Sequence, residues 1–129
     1  MPWALPNVKN DGAYTIAENI ADLGGVLLAY DTYVRHLTES GFKGEQFELQ
    51  RKRFFLAIAK LWQSKYTAKY ALLRTTGEGI ETANYKDTHS LSRERINGTV
   101  TNIDVWYDLF DVKAGDKLYR APEDRIRIW

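Results

Sequence analysis

The feature that most constrains the fold is an apolar stripe with helical spacing near the start of the chain. It consists of Ile16, Ile20, Leu23, Leu27, Tyr30 and Val34. Thr15 precedes the stripe as a candidate N-cap, with Glu18 three residues later as in a capping box. Ser40 and Gly41 follow it as a helix stop signal. Intervals of three and four residues predict one amphipathic helix between these two signals.

The opposite face of this helix carries two carboxylates followed by small residues. Glu18, Asp22, Gly25 and Ala29 fall along it, and Gly24 lies beside Gly25. Each helical glycine costs about 0.8–1 kcal/mol relative to alanine. Close approach of another element is one reason for a helix to accept that cost. We therefore predict a groove of small residues beside the carboxylates, which seats a second helix that bears polar groups.

The rest of the chain predicts a mainly α fold with long irregular loops. The predicted segments are an extended lead-in at 1–13, helices at 45–64, 68–74 and 102–110, and a mainly irregular stretch at 75–101. Apolar residues almost surround positions 53–62, so the second helix is expected to be deeply buried. Asn102 is the predicted cap of the last helix, which ends at Phe110.

Composition excludes several classes of function. The net charge is +1, from 18 basic and 17 acidic residues, with no basic stripe of the kind that binds nucleic acid. The chain has no cysteine, which excludes disulfides and thiolate metal sites. No stretch approaches the roughly 20 apolar residues of a membrane span, and residues 1–6 do not resemble a signal peptide. Four Trp, eight Tyr and five Phe indicate that some apolar surface serves a partner or self-association.

Two groups of residues could carry chemistry. Glu18 and Asp22, four positions apart, share a helix face, where one carboxylate could bind a metal while the other orients a histidine ligand. His89 and Arg95 follow one another in a polar stretch, where they could stabilise an oxyanion or bind a carbonyl. The alternatives are a capping glutamate, a solvated aspartate, an exposed histidine and a surface arginine. His36 lies at the end of the first helix, where the helix dipole favours a cation.

Four segments, in order, resemble the motifs of one enzyme family. Residues 18–25 (ENIADLGG) are similar to E-N-I-A-D-x-G-G, and residues 53–62 (RFFLAIAKLW) to R-F-F-x-x-x-A-x-x-W. Residues 87–98 (DTHSLSRERING) are similar to D-x-H-S-P-G-x-x-R-V-N-G, and residues 107–129 to a closing segment that ends in Trp. These are motifs of the neprilysin-type zinc metalloendopeptidases, and the resemblance covers residues 11–129.

This resemblance implies a fold and a role for each matching residue. Residues 14–129 would form the helical C-terminal part of a zincin-type peptidase domain. Glu18 matches the third zinc ligand, and Asp22 matches the carboxylate that orients a zinc-binding histidine. His89 matches the histidine that stabilises the tetrahedral intermediate, and Arg95 matches the arginine that holds a substrate carbonyl. The implied function is zinc-dependent hydrolysis of peptide bonds in oligopeptides.

The chain departs from the family at its most specific motif. Its two histidines, His36 and His89, are too far apart to form H-E-x-x-H. The zinc histidines and the glutamate base are therefore expected in an upstream half of the peptidase domain, and this chain alone is expected to be inactive. The alternative is a non-catalytic fragment that binds peptides or proteins. The lack of cysteine favours a bacterial member, in the periplasm, outside the cell or in the cytoplasm.

Overall fold

The computed structural model describes residues 8–77 and 86–129, and its regular structure there is entirely helical. The elements are α1 (Ile16–Glu39), α2 (Gly44–Leu61), α3 (Ala68–Thr76), α4 (Ser92–Val100), α5 (Asp104–Phe110) and a 3-10 turn (Pro122–Asp124). The mainly α prediction is thus confirmed. Residues 8–11 have no regular structure and residues 12–14 form a turn, while residues 1–7 of the predicted extended lead-in lie outside the described part. Within the described ranges, every helix is too short or too polar to cross a bilayer.

The predicted bounds of α1 are confirmed, but its predicted capping box is wrong. The Thr15 hydroxyl makes no hydrogen bond to an N–H of the helix end. It donates to the Asp11 carbonyl oxygen at 3.0 Å and accepts from Asn19 Nδ2 at 3.1 Å. Ser90 Oγ also lies 3.1 Å from it. The hydroxyl is therefore fully occupied by neighbours that the local pattern does not reveal, and Glu18 turns to His89 instead.

The core lies between α1, α2 and the α4–α5 pair. Leu23 and Tyr30 of α1 pack against Phe55 of α2, together with Val100, Ile103 and Leu109. The rings of Tyr30 and Phe55 lie 5.3 Å apart. Each such side chain contributes roughly 1.5–3 kcal/mol when it is fully buried. This cluster holds α1 against α4, and so fixes the two elements that carry the candidate site.

The prediction that α2 is deeply buried is wrong within the described chain. Phe55 is its one buried residue there, whereas Leu56 is 57% exposed and Leu61 is 76% exposed. The helix contacts α1 and α5 on one side. Phe54 also packs inward, with its ring 5.3 Å from that of Tyr30, so only part of the apolar surface of α2 is exposed. The helix also ends at Leu61, three residues before the predicted end.

The stretch predicted to be mainly irregular contains a helix, α4. Its sequence, SRERINGTV, includes serine, asparagine, glycine, threonine and valine, all weak helix formers. Packing outweighs this propensity, because Ser92, Thr99 and Val100 are buried and α4 lies against α1. Residues 78–85 of the same stretch lie outside the described part of the chain.

Asn102 does not cap α5 as predicted; the cap position belongs to Ile103. Instead, the buried Asn102 side chain fastens the C-terminal segment. Its Nδ2 donates to the Gly98 carbonyl oxygen at 2.7 Å. Its Oδ1 accepts from Arg120 Nη1 at 2.9 Å and from the Ile126 N–H at 2.8 Å. One amide therefore joins the end of α4 to two points of the tail.

The end of the tail explains one of the two helical glycines of α1. A Cβ atom built on Gly24 would lie 3.5 Å from the Trp129 ring and 3.8 Å from Ile128. The close neighbour at Gly24 is thus the tail and not a second helix. A Cβ on Gly25 would meet nothing within 4 Å. The predicted groove is therefore open at Gly25 in the described chain.

Replacement of Asn102 by alanine is expected to destabilise the protein by about 1–3 kcal/mol. The substitution leaves the Ile126 N–H and the Arg120 guanidinium without their acceptor, and such losses have that magnitude. Urea unfolding followed by circular dichroism measures the change. Gln63→Ala, which removes an exposed amide, should stay within about 0.5 kcal/mol of the parent. Equal midpoints for the two variants would contradict the role of Asn102.

Candidate active site

The candidate site lies where α1 meets the segment that leads into α4. α1 presents Glu18 and Asp22 one turn apart, and the facing segment presents His89 and Arg95. The structure brings all four together as two neighbouring pairs. Glu18 lies beside His89, and Asp22 lies beside Arg95. The Glu18–His89 pair is the more open, since both side chains are 40% exposed.

Asp22 and Arg95 form a bidentate ion pair. Arg95 Nε donates to Asp22 Oδ2 and Nη2 donates to Oδ1, both at 2.6 Å. The side chains are only 17% and 13% exposed, and the guanidinium lies 3.7 Å above the Trp62 ring. The hydrogen bond with Asp22 raises the pKa of Arg95 above its usual value. These bonds use two of the five guanidinium N–H donors, which leaves three for another acceptor.

His89 lies between two carboxylates. Its Nε2 is 3.2 Å from Glu18 Oε2, and its Nδ1 is 2.9 Å from Asp87 Oδ1. The backbone N–H of His89 donates to the same Asp87 oxygen at 2.8 Å. Asp87 therefore fixes both the backbone and the ring of the residue two positions on.

Asp87 is a member of the site that the residue pattern alone did not single out. Burial raises the pKa of Asp87, but hydrogen bonds from the His89 N–H and ring outweigh burial, helped by the charge of Arg74, and the pKa lies below its usual value. Asp87 is thus held in the charged form. The signal available in the sequence is the Asp-x-His spacing, since aspartate commonly binds the backbone two residues on.

Buried Ser90 ties this segment to the first turn of α1. Its Oγ lies 2.8 Å from Asn19 Oδ1 and 3.1 Å from Thr15 Oγ1. Leu91 then stands where the resembling motif has proline, and its φ of −64° is close to the value to which proline is restricted. The departure from the motif at Leu91 therefore leaves the backbone path into α4 compatible with the proline-containing form.

An open groove of about 450 Å³ lies next to Arg95, between the end of α2 and α4. Its walls include Ala59, Trp62, Ile96 and Asn97. Trp62 is shared, because the same ring supports the Arg95 guanidinium. More of the groove surface is apolar than polar, although Lys60, Gln63, Ser64, Ser92 and Arg93 also line it. Such a surface suits a side chain of a bound peptide.

The described residues do not hold a complete zinc site. Zinc in proteins takes at least three protein ligands from histidine, cysteine and carboxylate side chains. Residues 8–77 and 86–129 contain no group of three such side chains that could hold a metal. The half-exposed Glu18 carboxylate fits zinc as one ligand only, so any such site needs further ligands from polypeptide outside these ranges.

Comparison with known proteins identifies relatives of nearly the whole chain. The model of peptidase family M13 matches residues 4–126. The neutral endopeptidase of Lactococcus lactis subsp. cremoris is 35% identical over 119 residues, which cover 92% of this chain and 16% of the relative. Mouse neprilysin is 33% identical over 131 residues, covering 98% and 16%, respectively. Human membrane metallo-endopeptidase-like 1 is 31% identical over 132 residues, covering 98% and 15%.

These matches cover nearly all of this chain but a small part of each relative. The chain spans only 15–16% of the length of these curated relatives, and no solved structure matches it. The family match nevertheless includes all four residues of the two pairs and Asp87. By the extent of that match and the identity to these endopeptidases, the chain belongs to peptidase family M13.

Proposed function

We propose that this chain supplies part of the active site of a zinc metalloendopeptidase that hydrolyses oligopeptides. The observation that carries the proposal is the meeting of Glu18 and Asp22 with His89 and Arg95 across two elements. Membership of a peptidase family supports it. The whole active site would combine these residues with H-E-x-x-H from other polypeptide, since this sequence has no such motif.

Arg95 is suited to hold the carbonyl oxygen of a bound peptide. Its charge is permanent, and its plane is fixed by Asp22 and by the Trp62 ring. Holding the guanidinium in advance removes the entropy that a free arginine would lose on binding. The adjoining groove would receive the side chain that follows this carbonyl.

His89 is suited to stabilise negative charge as it develops on the substrate. A donor placed in advance acts without reorganisation at the moment of reaction. Asp87 Oδ1 at 2.9 Å from Nδ1 sets the ring so that Nε2 faces Glu18. In the complete site, Nε2 would then donate to the substrate oxygen.

Glu18 is the proposed metal ligand of this chain, and Asp22 is the proposed support for a histidine ligand from other polypeptide. Bound zinc would supply Lewis-acid polarisation of the scissile carbonyl. Asp22 already binds Arg95 through both oxygens. Each carboxylate oxygen has two lone pairs, so Asp22 retains the capacity to accept a hydrogen bond from an imidazole N–H.

A second candidate function is a non-catalytic fragment that binds peptides or proteins. The exposed apolar side chains Leu28, Leu56 and Leu61 favour it, since they offer surface for a partner or for self-association. The mass of the native protein in producing cells, by immunoblot against this chain, separates the two. A species much larger than 14.9 kDa supports the peptidase, and a species of that mass supports the fragment.

In a larger protein that joins this chain to the H-E-x-x-H motif, Glu18→Gln is expected to lower zinc affinity by at least about 100-fold. A neutral amide is a poor zinc ligand, and loss of even a supporting residue costs about 10–100-fold. Zinc retained after dialysis, and hydrolysis of an oligopeptide, measure the effect. Glu45→Gln, in the first turn of α2, is the matched control and should change neither. Full zinc retention in Glu18→Gln would contradict the assignment.

Arg95→Ala is expected to lower kcat/KM by about 10²–10³-fold in that protein, the usual loss when a donor held in place for the reacting carbonyl is removed. Arg95→Lys should recover little, because a lysine cannot form the bidentate pair with Asp22. Peptide hydrolysis under kcat/KM conditions is the measurement. Arg35→Ala removes an exposed arginine of α1 and should leave hydrolysis unchanged. Wild-type rates in Arg95→Ala would sink the proposed role.

Gly25→Ala tests whether another helix covers the open face of α1. In this chain it should stabilise the fold by about 0.8–1 kcal/mol, because alanine is the better helix former and the added Cβ meets nothing within 4 Å. In the larger protein the gain should vanish or reverse. Gly98→Ala, on α4 with equally open space, should stabilise both. Equal gains at Gly25 in both proteins, from thermal unfolding, would argue against a helix packed there.

A further inference from the structure

We propose that Arg74 is a positioning residue for His89, acting through Asp87. The inference rests on the role proposed above for His89. Arg74 comes from the last turn of α3, an element outside the four matching motifs. Its Nη2 lies 2.6 Å from Asp87 Oδ2, while Oδ1 of the same carboxylate faces the His89 ring. One carboxylate oxygen of Asp87 thus contacts Arg74 and the other contacts His89.

The four side chains form one continuous series of contacts. Arg74 contacts Asp87 at 2.6 Å, Asp87 contacts His89 at 2.9 Å, and His89 contacts Glu18 at 3.2 Å. The Arg74 and Asp87 side chains are only 16% and 14% exposed. At that burial the pair is screened much less than a surface pair. The guanidinium therefore keeps a nearly buried carboxylate charged and in place beside the ring.

Arg74 holds Asp87 by the main chain as well. The Asp87 N–H donates to the Arg74 carbonyl oxygen at 2.9 Å. The two residues are thus joined by one backbone and one side-chain contact, so the start of the His89 segment is fixed to the end of α3. Asp87 cannot shift without breaking both contacts. The position of the His89 ring therefore depends on the position of α3.

The surroundings of Arg74 argue against a role in stability alone. Its Nη1 makes one long hydrogen bond, 3.4 Å, to Tyr66 Oη. Its Nε is buried and has no hydrogen-bond partner within the described chain. A buried N–H without an acceptor is unfavourable. The ion pair with Asp87 is the contact that accounts for the position of the Arg74 guanidinium.

The position of the His89 ring can be read in this chain without any catalysis. At alkaline pH, where a free imidazole is neutral, the shorter contact to Asp87 should keep the proton on Nδ1 of His89. In Arg74→Gln, the ratio of the Nδ1 and Nε2 forms of His89 should shift measurably toward the ratio seen for exposed His36. Arg74→Lys should restore part of the difference, since it keeps the charge but not the fork. Nitrogen chemical shifts of the two histidines give both ratios in one spectrum.

Arg51→Gln is the matched control for this experiment. Arg51 is also a partly buried arginine, but it binds Tyr30 on α1 and Glu48 on α2. It should leave the His89 ratio unchanged. Circular dichroism establishes whether each variant is folded. If Arg74→Gln does not fold, Arg74→Lys replaces it as the test variant. A His89 ratio that is the same in wild type and every folded Arg74 variant would overturn the proposal.

Kinetics in the larger protein separate this inference from the proposed function. Arg74→Gln should lower kcat about tenfold with KM little changed, because His89 acts on developing charge while Arg95 holds the substrate. If wild type hydrolyses no peptide, the proposed function fails, and the His89 ratio still decides the positioning role. If wild type is active and Arg74→Gln retains full kcat, Arg74 does not position His89 for the reaction, and the inference is overturned.

Discussion

The bidentate pair between Asp22 and Arg95 is the interaction on which the arrangement of the site depends. It joins the second turn of α1 to α4 through two 2.6 Å hydrogen bonds. The Trp62 ring, at the end of α2, closes over it at 3.7 Å. Three helices therefore converge on one ion pair. Removal of either partner would leave a charge that water reaches poorly, which is strongly unfavourable.

The second pair, Glu18 and His89, lies one helical turn away and is more exposed to solvent. An α-helix rises about 5.4 Å per turn, so Glu18 and Asp22 face the same segment side by side. Asp22 is enclosed by its partners, whereas Glu18 and His89 stay half exposed. The closed pair provides rigidity, and the open pair remains accessible to a metal or a substrate.

Signals within a short stretch of sequence predicted the helix whose pattern lies within that stretch. The bounds of α1 followed from its apolar stripe and end signals, and both were found. The helix α4 was missed because residues such as Asn97 and Gly98 are weak helix formers, and it is packing on α1 that stabilises it. The resemblance named the four residues of the two pairs. It did not reveal how they pair, because ion pairs between distant segments leave no periodic signal.

The contacts that make the site join residues more than seventy positions apart. Thr15 and Ser90 are separated by 75 positions, and Asp22 and Arg95 by 73. Helices such as α1 can form within microseconds, whereas distant contacts require a long loop to close first. The site should therefore appear in the last kinetic phase of folding. Without these distant contacts α4 also loses the packing that stabilises it, so the helical signal of α4 and the assembled site should appear together.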